Sequence, residues 1–180
     1  MADIRHRVGI TAPSEQVYEA LATTEGLSRW WTRDTVGDPA VGGKLEFFFG
    51  QAEPGAVMEV TELVPGERVA WRCVQGPDEW VDTVLTFDMS QAGGETVVLF
   101  THAGWREPVE FMHHCSTKWG YFLLSLKAGL EGGSARRALR MPPSMTKCAT
   151  WMPCGDSSRA MLCASPRSAN LAMANGADCA

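Results

Sequence analysis

Phe111-Met112-His113-His114-Cys115-Ser116-Thr117-Lys118-Trp119-Gly120-Tyr121-Phe122-Leu123-Leu124-Ser125-Leu126-Lys127-Ala128-Gly129-Leu130 is the last long helical pattern in the chain, and its reading decides the fold. At about 100° per residue, Phe111, Cys115, Trp119, Phe122, Leu126 and Leu130 share one face, while Glu110, His113, His114, Tyr121 and Lys127 fall elsewhere. A helix with such a stripe needs a sheet to lie against. The segments before it supply one whose apolar face is bulky: Phe47, Phe49, Trp71, Phe87 and Phe100. Side chains of that size are expected to hold helix and sheet apart around a space able to take a ligand.

Working outward, Ile4 to Ile10 alternates β-branched and polar residues and reads as a first strand, closed by Thr11-Ala12-Pro13. Pro13 or Ser14 caps a helix carrying Val17, Ala20 and Leu21, and Thr23-Thr24-Glu25-Gly26 stops it. Leu27-Ser28-Arg29-Trp30-Trp31 suits a short second helix. After the loop Asp38 to Gly43, strands are expected at Leu45 to Phe49, Val57 to Val64, Val69 to Val74, Val81 to Met89 and Thr96 to Ala103. Their connections are short and rich in Gly, Pro and Asp, which favours an antiparallel meander. The order is β-αα-β5-α: an α+β fold with an antiparallel curved sheet of about six strands wrapped around a long C-terminal helix, and a short helix pair after the first strand.

Composition divides the 180 residues near Ser134. Every Phe and Tyr, and every Trp except Trp151, precedes that point. Beyond it lie six basic residues and two acids, leaving 10 of the 16 basic and 19 of the 21 acidic residues in the body. A body with net charge −9 argues against nucleic acid, whose phosphates demand a basic face. Cysteines run the other way: Cys73 and Cys115 lie in the body, but Cys148, Cys154, Cys163 and Cys179 follow it without paired spacings or a nearby histidine. Such spacing announces no zinc site, and Met1 to Arg5 has no secretory apolar run, so a cytoplasmic, reducing location is expected. No segment approaches the roughly 18 apolar residues of a membrane span, so no membrane insertion is expected.

Gly42-Gly43-Lys44-Leu45-Glu46-Phe47, Val60-Thr61-Glu62-Leu63-Val64-Pro65 leading to Val69-Ala70-Trp71, then Val98-Leu99-Phe100-Thr101-His102-Ala103-Gly104 and Cys115-Ser116-Thr117-Lys118-Trp119 together resemble the START-like (SRPBCC) superfamily. Within it they are most similar to the branch related to the activator of the 90-kDa heat-shock protein ATPase. The resemblance covers about Asp3 to Gly133 and implies a helix-grip domain over 1–133, with a deep, mostly apolar cavity between sheet and long helix. It ends at Ser134, where relatives commonly continue with Gly-Thr-Pro-x-x-Pro-Asp. Read in another frame through GC-rich codons, 135–141 can give Thr-Pro-Arg-Ala-Pro-Asp. Residues 134–180 are therefore expected to be a frameshift product or a disordered extension.

Strand parity selects the residues that would line the cavity. Phe47, Phe49, Met58, Trp71, Phe87, Phe100 and His102 come from the sheet, and Phe111, Cys115, Trp119 and Phe122 from the helix. Trp30 joins them: because adjacent helical residues cannot face the same way, one of Trp30 and Trp31 is expected to be partly exposed or at the entrance. Taken singly, each of these residues is better read as core packing, and it is the cavity implied by the family resemblance that points to a pocket for the set as a whole. His102, pointing inward near a strand end, could bond a ligand carbonyl, serve as acid or base with Asp82 or Glu59, or tie down the loop at Gly104. Glu110, His113 and His114 have ligand spacing, but a carboxylate-bridged metal needs a second Glu-x-x-His, and the sequence has none. Cys115 has no flanking base. Phosphate loops and nucleophile elbows are missing, so no cofactor is expected.

Three functions fit this pattern. The inward rows are almost wholly apolar, which favours a module binding a small apolar or amphipathic molecule. The family resemblance offers a protein partner, a heat-shock chaperone. A cyclase or hydrolase would need titratable groups inside the cavity.

Overall fold

A computed structural model describes residues 2–133. The order of elements is β1 (Ala2–Ile10), α1 (Ser14–Ala22), α2 (Thr24–Trp30), β2 (Asp34–Gly37), β3 (Lys44–Phe48), β4 (Ala56–Val64), β5 (Arg68–Gln75), β6 (Val84–Ala92), β7 (Glu95–Trp105) and α3 (Glu110–Leu130). All strands join one antiparallel sheet in the order β1-β7-β6-β5-β4-β3-β2. The curved sheet and the long helix make the expected α+β helix-grip architecture. Consecutive strands from β2 to β7 are neighbours, as short turns require, whereas β1 and β2 lie at opposite edges. The α1–α2 pair carries the chain between those edges.

The strand count is seven, because Asp34–Gly37 forms an edge strand against β3 that the sequence reading missed. Its composition explains the omission: Asp and Gly are depleted in strands. Gly37 holds φ +123°, and a Cβ there would lie 2.0 Å from the Lys44 carbonyl oxygen, so only glycine ends this strand without moving its partner. A second glycine permits the helix pair. Gly26 lies inside α2, where an added Cβ would meet the Glu19 carbonyl oxygen at 2.5 Å, while Thr23 caps the helix by accepting from the Gly26 N–H at 3.0 Å.

β6 begins at Val84 and not at Val81, leaving 76–83 as a folded connection. β7 runs on to Trp105, two residues past its expected end. Between the pairs Ile4↔His102 and Ala2↔Trp105, β7 advances one residue more than β1, so a bulge turns Trp105 onto the inner face already occupied by Phe100 and His102. The outer face carries paired charges: Arg72 with Glu59 at 2.6 Å, and Arg68 with Glu62 at 2.8 Å and with Asp88.

α3 lies across the inner face beside β1. Ser116 meets His6 at 3.3 Å, and Lys127 caps the Gly9 carbonyl near the other end. Glu131 closes the helix by accepting the Thr11 N–H at 2.7 Å and binding Lys127 at 2.9 Å. The expected boundary after Gly133 and the reading of 134–180 lie outside the described residues. No helix among them is long and apolar enough to cross a membrane.

Candidate functional site

The inner face of the sheet and the inner face of α3 meet in a continuous aromatic cluster. Trp31 sits at its centre, with ring centroids 4.2 Å from Phe47, 4.9 Å from Trp119, 5.9 Å from Trp71 and 6.5 Å from Phe122. Phe87 stands 5.0 Å from Trp71 and 5.1 Å from Phe100, and Phe100 is 4.6 Å from Trp119. These are the separations of aromatic pairs in direct contact. Phe47, Met58, Trp71 and Phe87 are 0% accessible to water. The space expected between helix and sheet is occupied here by the side chains assigned to its walls. Phe49 and Phe111 are half-buried at its margin, while Cys115 and Phe122 are buried within it.

Trp30 and Trp31 depart from expectation, since both are 1% accessible. The rule that neighbours face apart holds inside a helix, and Trp31 is past its end, with φ −99° and ψ −86°. The turn sends its indole into the cluster, while Trp30 packs behind it and donates its N–H to the Ala20 carbonyl at 2.9 Å.

His102 is buried at the centre of the interior, and its bonds define its state. Thr83 gives its hydroxyl proton to the Trp80 carbonyl, so its oxygen must accept from Nε2–H of His102 at 2.8 Å. Nδ1 of His102 accepts the Trp119 indole N–H at 3.2 Å. Both ring nitrogens are thereby used, and burial pushes the imidazole down to about 3. The proposed proton-transfer partners are elsewhere: Asp82 is exposed on the connection before β6, and Glu59 pairs with Arg72 on the outer face. The Arg72 hydrogen bond holds the Glu59 carboxyl below the usual range.

Burial pushes the thiols of Cys73 and Cys115 up to about 12, a state without nucleophilic thiolate. His114 stacks on Phe111 at 6.3 Å, and its imidazole is lowered by partial burial and then by Lys118. Among the described residues no group of three His, Cys, Asp or Glu side chains is placed to hold a metal.

Two tryptophans complete the cluster without having been read as site residues. Trp80 reaches in from the 76–83 connection, stacked 6.1 Å from Trp119 and edge-on to His102 at 5.1 Å. Trp105 lies 5.0 Å from His102 and 6.2 Å from Phe111. Strand parity could not find either one, because Trp80 is outside any strand and Trp105 follows a bulge.

The helix-grip geometry with this aromatic interior can be compared with known proteins. The model of the activator of Hsp90 ATPase homolog 1-like proteins matches residues 11–131. The chain belongs to that family. At 41% identity it is similar to the protein described as the Aha1 dimer from Colwellia psychrerythraea, covering 74% of this chain and 98% of that one with a TM-score of 0.68. Protein MLL2253 from Mesorhizobium loti, at 18% identity, 73% and 98% coverage and TM-score 0.62, shares the fold. So does protein SSP2350 from Staphylococcus saprophyticus, at 20% identity, 76% and 97% coverage and TM-score 0.63. A comparison with curated proteins returns no match. The family's fold is of a ligand-binding type.

Proposed function

We propose that this protein is a binding partner of a 90-kDa heat-shock-type chaperone and acts through its exterior. The observation that carries the reading is the relation to the Colwellia Aha1 protein, 98% of which is matched by 74% of this chain at 41% identity. Packing supports it: with Trp31, Phe47, Trp71 and Phe87 sealed against one another, the domain offers a partner its outer faces. The same relative is a dimer, so self-association belongs to this proposal. Sedimentation of the purified protein alone and mixed with the chaperone tests it. The expected result is a complex sedimenting faster than either component, and two independent boundaries would count against it.

A second reading is favoured by a specific observation. Tyr121 Oη and Ser125 Oγ on α3 are buried without a hydrogen-bond partner, an arrangement that costs about 1–3 kcal/mol per group. A small amphipathic molecule admitted among Trp30, Phe47, Phe49, Met58, Trp71, Phe87, Phe100, His102, Phe111, Cys115, Trp119 and Phe122 could relieve that cost while keeping the rings dry. Such a molecule should accompany the protein from its host into native mass spectrometry. A protein carrying no bound mass, and showing no thermal shift with fatty acids, flavonoids or polyketides, would speak against it.

A further inference from the structure

The connection 76–83 is built as a separate unit. Trp80 N–H and Val81 N–H both donate to the Pro77 carbonyl, at 2.8 and 3.3 Å, and Thr83 N–H donates to the Trp80 carbonyl at 2.9 Å, so the turn satisfies much of its own backbone. It meets β5 at one residue, Cys73, whose carbonyl accepts Asp82 N–H and whose N–H donates to the Thr83 carbonyl, both at 2.9 Å. Asp82, beside that attachment, holds φ +68°, a left-handed conformation uncommon outside glycine. Two side chains on this unit reach the interior: the Trp80 ring covers Trp119 and His102, and Thr83 Oγ occupies the Nε2–H of His102.

Lifting the unit would therefore free the His102 Nε2–H, next to the buried and unpartnered Trp105 N–H, in a chamber walled mainly by aromatic rings. The Trp119 N–H stays on Nδ1, which keeps the proton on Nε2, so the donor would be neutral and fixed in direction. Such a group discriminates by hydrogen bonding, because any occupant that cannot replace Thr83 leaves it orphaned.

We propose that residues 76–83 form a movable strap over the His102 end of the interior, and that its opening admits a small apolar ligand carrying one hydrogen-bond acceptor, which takes the His102 Nε2–H in place of Thr83. This rests on the small-molecule reading above and adds to it an entrance, an anchor and a ligand class. Hydrogen exchange of the full chain tests the strap. Amides of 78–83 should exchange faster than those of β4 and β5, and Thr83→Val should raise their rate by about 10-fold while leaving the strands unchanged. Strap amides exchanging at the strand rate in both proteins would overturn the proposal.

Two probes of nearly equal shape, 2-acetylnaphthalene and 2-ethylnaphthalene, test the anchor. The ketone should bind about 10-fold more tightly, and His102→Phe should abolish the preference. Equal binding of both probes, or a preference retained in His102→Phe, would overturn the strap proposal and leave the small-molecule reading standing. If neither probe binds, the strap proposal falls, while the small-molecule reading stands or falls on the bound mass in native mass spectrometry. Should His102→Phe not fold, the wild-type preference together with Thr83→Val exchange decides.

Discussion

Trp119 on α3 donates its indole N–H to Nδ1 of His102 on β7 at 3.2 Å, joining helix to sheet through a polar contact inside an aromatic cluster. The bond fixes the histidine tautomer, and the Thr83 hydroxyl takes up the remaining N–H. A buried imidazole is tolerated because it is neutral and fully bonded.

Acid should therefore unfold the protein partly through His102. Above pH 6.5 the ring is neutral in both states; between 6.5 and about 3 only the unfolded chain takes the proton, so stability falls as pH falls. The slope from this residue approaches about 1.4 kcal/mol per pH unit. Urea titrations from pH 7.5 to 4.5 should show a shallower slope for His102→Gln than for the wild type. Parallel curves would contradict the assignment.

Trp31 touches more of the cluster than its position at a helix end suggests. Trp31→Ala should cost about 3–5 kcal/mol, whereas Leu124→Ala, at a site 61% exposed, should shift stability by less than about 0.5 kcal/mol. Denaturant midpoints compare them directly. Similar losses at the two sites would mean that the rings do not pack as described.

Cys73 and Cys115 should resist alkylation in the folded protein. Iodoacetamide at pH 8, followed by peptide mapping, should leave both unmodified until urea is added, because burial keeps them as thiols. Rapid labelling of Cys73 under native conditions would contradict its buried position on the inner face of β5.

The last turn of α3 is secured by Glu131. Its carboxyl lies below the usual range, chiefly through the Thr11 N–H and then through Lys127. Glu131→Gln should weaken the clasp and raise amide exchange at 127–131, and a chain ending at Gly133 should keep the melting temperature of the full chain. A large fall on that truncation would place essential contacts beyond the described domain.

How much was legible in the sequence follows the physics of each element. The 3.6-residue stripe through Cys115, Trp119 and Phe122 revealed α3, and period-two alternation revealed Phe47, Trp71, Phe87 and Phe100, because burial on one face imposes those periods. β2 escaped because Asp34 and Gly37 are chosen for an edge and a turn, not for a core. Trp31, Trp80 and Trp105 escaped because their directions are set by a helix end, a folded connection and a bulge, none of which leaves a periodic trace. The size of the inward side chains was legible, but whether they would part or interlock depends on three-dimensional fit, and here they interlock.

The proposed partnership with a heat-shock chaperone is tested most directly by the steady-state ATP hydrolysis rate of that chaperone, titrated with this protein at fixed ATP. A saturable rise in rate is predicted, retained when Phe47→Leu alters the interior but leaves the outer faces intact. A rate that stays flat to excess protein, with the chaperone itself active, would contradict the account.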